Sequence, residues 1–112
     1  MKKIDAHAHI GYIGGWADVG ITENQLLEQM EKFDIEKTAL CCEDNELTLE
    51  VMERHPGKII GCIYVNPFNL QSVENMEKYA GKGFSAVKLN PLRHAYCADG
   101  DLVDPIMEKA YK

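Results

Sequence analysis

The sequence predicts an α/β fold in which helices cover a parallel sheet. Apolar runs with strand character alternate with amphipathic helical segments four times along the chain. The strand runs are almost continuously apolar, which is typical of parallel strands that are buried on both faces. The unusual polar residues follow the carboxyl ends of these strands, where a (βα)8 barrel builds its active site. We therefore favour part of a barrel over a doubly wound sheet, and no glycine-rich nucleotide-binding motif supports the latter.

The first half of the chain contains two predicted strand–helix units. We expect strands over Lys3–Ala8 and Lys37–Cys42, a glycine-rich loop over residues 10–20, and helices that follow Thr22 and precede His55. Thr22 and Gln25 have the spacing of a capping box, which predicts where the first helix begins. The second helix ends near His55 because a proline and a glycine come directly after it.

The second half repeats this pattern. We expect strands over Lys58–Val65 and Phe84–Leu89, with a helix after each. Asn69 is predicted to cap the helix between these strands, with Leu70 on its apolar side. Asp104 followed by a proline predicts the N-cap and first turn of the final helix.

Composition and charge limit the classes of function. The 112 residues are 46% hydrophobic, which predicts one globular domain over residues 1–112. The net charge of −6 gives no electrostatic footprint for nucleic acid or for an anionic membrane. No apolar run marks a signal peptide or a membrane-spanning helix. The four cysteines lack a C-x-x-C spacing, so we expect free thiols and a cytoplasmic protein.

A His-x-His pair at the end of the first strand is the clearest chemical signal. His7 and His9 are two residues apart, so on a strand both side chains point to the same face. They are therefore predicted to converge on one metal ion. Asp5 has the same parity, and its carboxylate is expected to orient a ligating imidazole. Two ordinary polar residues at a strand end are the alternative, which the spacing and the preceding aspartate make less favourable.

Further polar residues follow the later strands and are candidates for substrate binding. They are Asn66, Lys88, Asn90, Arg93 and His94, together with Trp16 in the loop after the first strand. Lys88 is expected to have a structural role or to face a substrate charge. His94 and Arg93 either contact an anionic substrate or lie on the surface. Trp16 either covers a pocket beside the metal or packs against a neighbouring subunit.

These motifs, taken in order, resemble the amidohydrolase superfamily, in its branch of aminocarboxymuconate-semialdehyde-decarboxylase-like enzymes. The resemblance is carried by Ile4–Gly11, Ile60–Pro67, Gly83–Pro91 and Asp104–Ala110. It implies a TIM (βα)8 barrel with a divalent metal, usually zinc, for which His7 and His9 supply the first two ligands. It also implies hydrolysis of a C–N or C–O bond in a small carboxylated substrate, or alternatively decarboxylation. The family's remaining histidine and aspartate ligands belong to the fifth and eighth strands.

The sequence departs from the family in holding four strand–helix units, whereas a complete barrel needs about 250 residues. We therefore expect the N-terminal (βα)4 half of a TIM barrel, completed by a second copy or by a C-terminal half. In a two-copy barrel, the histidines of the second copy lie where the fifth strand is missing. A catalytically incomplete binding or assembly module is the non-enzymatic alternative. A metal phosphoesterase that also begins with His-x-His is a third hypothesis, which the Asn-Pro strand ends disfavour.

Overall fold

The computed structural model describes residues 1–15 and 17–112 and contains one curled parallel sheet with helices on its convex side. The strands are β1 (Lys3–Ala8), β2 (Gly11–Ile13), β3 (Val19–Ile21), β4 (Ile35–Leu40), β5 (Ile59–Tyr64) and β6 (Ala86–Lys88). The helices are α1 (Glu23–Lys32), α2 (Asn45–Arg54), α3 (Ser72–Ala80), α4 (Pro91–His94) and α5 (Asp104–Tyr111). The large sheet has the parallel order β1-β4-β5-β6, which confirms the α/β half-barrel.

The start of α1 confirms the predicted capping box. The Gln25 backbone N–H donates to Thr22 Oγ1 at 3.2 Å, and the Thr22 backbone N–H donates to Gln25 Oε1 at 2.8 Å. Two backbone donors that the first turn cannot satisfy by itself are thereby paired. Helix α2 ends at Arg54, with His55 as its C-cap, as the sequence predicts.

The hydrophobic core lies between the convex face of the sheet and the helices. One cluster joins β1, β4, β5, α1 and α2 and contains Ala8, Ile10, Leu26, Met30, Leu40, Cys42, Val51 and Ile59. A second joins β5, α2, α3 and α5 and contains Leu49, Ile63, Val65, Met76, Tyr79, Phe84 and Ile106. Leu40 and Val51 are completely buried, and burial of each such side chain contributes about 1.5–3 kcal/mol to folding. This packing leaves the concave face of the sheet free to carry polar groups.

The sequence predicts a loop over residues 10–20, but β2 and β3 form an antiparallel hairpin within this segment. Gly11 has a φ of +91°, a conformation that glycine adopts readily, where the chain enters the hairpin. The Tyr12 hydroxyl donates to the Asp18 carboxylate, which joins the two sides of the hairpin. The hairpin then leads directly into the capping box of α1.

Several predicted boundaries were wrong. Strand β4 begins and ends two residues earlier than expected, and β6 is only three residues long. Asn69 does not cap α3: Gln71 holds the N-cap position, and the Asn69 side chain accepts from the Gln71 backbone N–H in the preceding turn. Leu70 is fully exposed instead of packing on the apolar side of the helix. Asp104 is the first residue of α5, and Val103 is its N-cap.

The half-barrel has two open edges. Within the described residues, β1 pairs only with β4, and β6 pairs only with β5. Large apolar side chains are exposed near the β1 edge at Ile4 and Phe33, and near the β6 edge at Leu92. Unpaired strand edges beside apolar side chains are surfaces that favour association. None of the helices in residues 1–15 and 17–112 has the length and apolar character needed to cross a membrane.

Candidate metal centre and substrate rim

His7 on β1 and His9, the residue directly after this strand, converge at its carboxyl end. The Nε2 atoms of His7 and His9 are 2.8 Å apart, and the ring centroids are separated by 4.7 Å. The intervening Ala8 and the following Ile10 are buried on the opposite face, as strand alternation requires. The predicted juxtaposition of His7 and His9 is therefore present, and both imidazoles lie on the concave side of the sheet.

This pair has the donor chemistry of a metal site but only part of the ligand set. Burial, the neighbouring His7 and the Lys88 ammonium all lower the pKa of His9, in that order of importance. A lowered pKa favours the neutral imidazole, which is the form that binds metal ions. Among residues 1–15 and 17–112, no group of three or more His, Cys, Asp or Glu side chains is arranged so that it could hold a metal ion. Catalytic zinc normally has three protein ligands, so His7 and His9 fit two of the required positions.

Asp5 contacts the site through the backbone. Its Oδ1 accepts a hydrogen bond from the His7 backbone N–H at 3.0 Å. The carboxylate therefore stabilises the strand immediately before the histidine pair. Its expected role in orienting a ligating imidazole stays a prediction.

Lys88 ends β6 on the same concave face. It pairs in register with Tyr64 at the end of β5, and it is partly buried. Its ammonium group lies close enough to lower the pKa of His9. Within the part of the chain that the structure describes, Lys88 forms no salt bridge with a carboxylate. The concave face therefore carries a positive charge near the two histidines.

Tyr64 lies beside Lys88 at the carboxyl edge of the concave face, which we call the rim, and it is not among the site residues that the sequence predicts. Its hydroxyl lies 3.1 Å from His94 Nε2, and the two rings meet edge to face with centroids 5.8 Å apart. Burial raises the pKa of Tyr64, with a smaller contribution from Glu43. The phenol is therefore neutral at physiological pH and remains a hydrogen-bond donor. The sequence offered one signal for Tyr64: it lies two residues beyond Cys62 on the same strand, so both side chains point to the concave face.

The side chain of Asn45 holds Tyr64 in place. The Tyr64 backbone N–H donates to Asn45 Oδ1 at 2.7 Å, and Asn45 Nδ2 donates to the Tyr64 carbonyl at 3.0 Å. Strand β4 has already ended at Leu40, so this amide takes the place of a neighbouring strand. The first turn of α2 thereby fixes the end of β5 and the tyrosine that it carries.

The other predicted substrate residues make local contacts. Arg93 forms a two-point ion pair with Glu43, with its terminal nitrogen 3.0 Å from Oε2. Asn90 Oδ1 accepts from the Arg93 backbone N–H at 3.2 Å and caps α4. Asn66 Oδ1 accepts from the backbone N–H two residues later, in the turn after β5. Trp16 lies outside the described residues, and substrate contacts by all four stay predictions.

Buried thiols form the floor of the concave face. Cys41 and Cys62 lie on neighbouring strands, and both are almost fully buried. Burial, with a smaller contribution from Cys62, raises the pKa of the Cys41 thiol to about 12. The thiolate is the form that binds metal, so Cys41 acts here as a small apolar side chain. The expected free thiols are confirmed for Cys41, Cys42 and Cys62, and all three are buried.

Two surface cavities lie away from the histidine pair. One of about 470 Å³ is lined by α1 and the start of β5, including Leu27, Glu31 and Lys58. The other, of about 460 Å³, lies between the hairpin and the helices and is lined by residues including Tyr12, Gln25 and Leu47. The histidines line neither cavity, so the candidate site is the open concave rim.

Comparisons with known proteins establish the fold. No model of a known protein family matches the chain, and neither does any curated protein. A crystal structure of a probable 2-pyrone-4,6-dicarboxylic acid hydrolase from Acinetobacter baumannii, with citric acid bound, is similar with a TM-score of 0.71 and 14% sequence identity. The match covers 98% of this chain and 46% of the other, so this chain spans about half the length of that hydrolase. At this identity the likeness shows the α/β half-barrel fold alone.

Proposed function

We propose that the chain is part of a metal-dependent hydrolase of the amidohydrolase type, acting on a C–N or C–O bond of a small carboxylated substrate. The convergence of His7 and His9 Nε2 at the end of the first strand is the observation that carries this proposal. The similar fold of a probable hydrolase of a pyrone dicarboxylic acid supports the reaction class and an anionic substrate.

A divalent metal ion, with zinc as the first choice, fits the imidazole donors of His7 and His9. Such a metal supplies Lewis acidity that polarises a carbonyl or makes a bound water more acidic. The chain's own contribution is to hold the two imidazoles on one face and to keep His9 neutral through partial burial. The phenol of Tyr64 and the ammonium of Lys88 face the same space as the histidines.

The remaining ligands belong to a complementary barrel half in this proposal. The open edges of β1 and β6 support that arrangement, since a barrel closes only when both are paired. We propose a second copy as the complement, related by a two-fold axis along the barrel, so that four histidines face one centre. A C-terminal half that supplies the family's histidine and aspartate is the alternative complement.

Metal content and assembly state, measured on the same sample, test the proposal. We expect one zinc ion per chain or per dimer by elemental analysis, and a dimer by light scattering. The double variant His7→Ala/His9→Ala should lose the bound zinc because it removes both described ligands. His55→Gln is the matched control, since His55 bonds Glu23 away from the site and glutamine retains a donor there. Equal zinc binding by the double variant and this control would contradict the proposal.

Turnover measurements separate hydrolysis from the alternatives. The purified, zinc-loaded protein is assayed against carboxylated lactones and amides, including 2-pyrone-4,6-dicarboxylate, with formation of the hydrolysed carboxylate product and release of carbon dioxide followed in parallel. Hydrolysed product without carbon dioxide supports the hydrolase, and carbon dioxide release supports a decarboxylase. The presence of only two ligands among the described residues favours a binding or assembly module as the second candidate. Zinc binding without turnover on the whole panel would support that module.

A further inference from the structure

The concave rim combines an unpaired cation with a rigidly held hydroxyl group. Among the described residues, every arginine and every lysine except Lys88 and Lys109 is exposed. Lys109 has a carboxylate partner in Glu77, whereas Lys88 has none. A partly desolvated ammonium without a counter-ion is unfavourable, so an anion from outside the chain is stabilised there. This exception is notable in a chain whose net charge is −6, where carboxylates are abundant.

We infer that Lys88 and Tyr64 together form the binding seat for a carboxylate group of the substrate, with His94 as the residue that positions the Tyr64 hydroxyl. This inference rests on the proposed function, and it assigns the substrate's anionic end to the β5–β6 side of the rim. The reacting bond then lies toward His7 and His9.

The register of the sheet places the two binding groups side by side. Tyr64 and Lys88 are directly paired across parallel strands, which lie about 4.8 Å apart. Both residues are the last of their strands, so both side chains stand at the carboxyl edge, where barrels bind ligands. A carboxylate has two oxygen atoms and so accepts from the ammonium and the phenol together.

His94 gives the phenol its direction. With the proton on His94 Nε2, the imidazole donates to the Tyr64 oxygen across the observed 3.1 Å, and the phenol proton points to the carboxylate. Helix α4 carries His94, and the Asn90 cap fixes the start of that helix. The Asn45 amide fixes the Tyr64 backbone from the other side. Both partners of the hydrogen bond are therefore held before a ligand arrives, which reduces the entropy cost of binding.

Among the described residues, Lys88 is the cation of this rim without a carboxylate partner: Asp5, on the same face, accepts from the His7 backbone N–H and forms no salt bridge with Lys88. Arg93 donates a hydrogen bond to the Glu43 carboxylate and forms an ion pair with it, so the charge of its guanidinium is already neutralised. The thiols of Cys41 and Cys62 below are buried, and burial raises the pKa of Cys41 to about 12. The ammonium and the phenol are thus the groups that select for an anion.

Binding of isophthalate, a planar dicarboxylate that chelates metals poorly, tests the inference on the full 112-residue chain without added metal. Affinity is measured by NMR titration in low-salt buffer, with uncharged isophthalamide as the matched ligand. We expect isophthalate to bind the wild type at least tenfold more tightly than isophthalamide. Lys88→Met should weaken isophthalate binding about tenfold or more, and Lys88→Arg should retain it within about threefold, because a hydrogen bond to a charged group is lost only in the former.

Lys58→Met is the control for net charge, since Lys58 is exposed and precedes β5 at the opposite end of the sheet. It should leave the affinity for isophthalate unchanged. Tyr64→Phe should weaken binding several-fold. His94→Asn should weaken binding only when Tyr64 retains its hydroxyl, and this non-additivity separates a positioning role from a general effect on folding. Equal affinities of Lys88→Met and Lys58→Met for isophthalate would overturn the inference. It would also be overturned if the wild type did not bind isophthalate at a ligand concentration about 50 times that of the protein or higher.

The histidine variants keep the two proposals distinguishable. His7→Ala/His9→Ala should lose zinc and still bind isophthalate, since the seat does not use those imidazoles. Zinc binding without isophthalate binding leaves the proposed function in place and overturns the seat. Isophthalate binding that depends on Lys88, in a protein without zinc affinity, supports the seat and contradicts the metal-dependent function.

Discussion

Replacement of Asn45 by alanine tests whether the side chain at the start of α2 positions the rim. The change removes both hydrogen bonds to the Tyr64 backbone, at 2.7 and 3.0 Å. The Tyr64 N–H and carbonyl lose their partners at a point where β4 no longer runs alongside. A buried backbone group without a partner costs about 1–3 kcal/mol, and these two groups are only partly buried. We therefore expect the free energy of unfolding to fall by about 2–3 kcal/mol.

Urea denaturation followed by circular dichroism measures this loss in the free energy of unfolding, and thermal denaturation measures the corresponding fall in melting temperature. For a domain of this size, 1 kcal/mol corresponds to about 4 °C, so the melting temperature should fall by about 8–12 °C. Hydrogen exchange at the Tyr64 amide should accelerate more than exchange at the centre of β5. Isophthalate affinity should also fall, because the Tyr64 hydroxyl is no longer held in place.

Asn24→Ala is the matched control, because Asn24 is an exposed asparagine in the first turn of α1. Exposed substitutions of this kind change stability by about 0.5 kcal/mol or less. If Asn45→Ala destabilises no more than this control, the amide does not replace a strand partner, and the reasoning about the rim's rigidity is refuted.

Two further predictions concern ionisable groups. Hydrogen bonds from Arg54, and to a smaller extent from His55, lower the pKa of Glu23 to about 2 from its ordinary 4.5. The stabilisation by the Glu23–Arg54 ion pair is therefore complete above pH 4.5 and is lost as the pH falls toward 2. Because Arg54 is half exposed, this ion pair contributes about 1 kcal/mol to the free energy of unfolding. Cys97 is exposed, whereas the other cysteines are buried, so one thiol per folded chain should react rapidly with Ellman's reagent at pH 8.

Single variants check both predictions. Glu23→Gln should reduce stability at pH 7 and flatten the loss of stability between pH 4.5 and 2; an unchanged acid profile would show that the ion pair contributes nothing measurable. Cys97→Ser should abolish the rapid thiol reaction. Two or more rapidly reacting thiols in the folded wild type would contradict the burial of Cys41 and its neighbours.

The sequence predicted those parts of the fold that depend on local signals. The capping box at Thr22 and the helix end at His55 involve residues within one turn of each other, and both were confirmed. The hairpin was missed because its three-residue strands are short and glycine-rich, so no alternation is readable. The Asn69 cap was wrong because its side chain satisfies a turn instead of the helix. A short polar side chain offers both choices, and only the path of the backbone decides between them.

The candidate site likewise has one part that the sequence predicts and another that only the fold shows. The face shared by His7 and His9 follows from strand parity alone, and the structure brings their rings together. The contacts of Tyr64 with Asn45 and His94 join residues that are far apart in the sequence. No pattern along one strand or one helix reports such contacts, because they depend on which strand ends first. The substrate role of Arg93 stays a prediction, and its pairing with Glu43 is a contact that only the folded chain brings together.

The order of strands in the large sheet has a consequence for how the molecule folds. Each strand pairs with the next sheet strand along the chain, and each connecting helix packs against one of the two strands that it joins. Growth of the structure can therefore proceed one βα unit at a time, as in a repeat protein, without closing a long loop at any step. Native-state hydrogen exchange would then report graded protection, highest in β4 and β5 and lowest in β1 and β6. The histidine pair and Lys88 would lie at the carboxyl ends of the two least protected strands, where pairing with a complementary half would raise protection most.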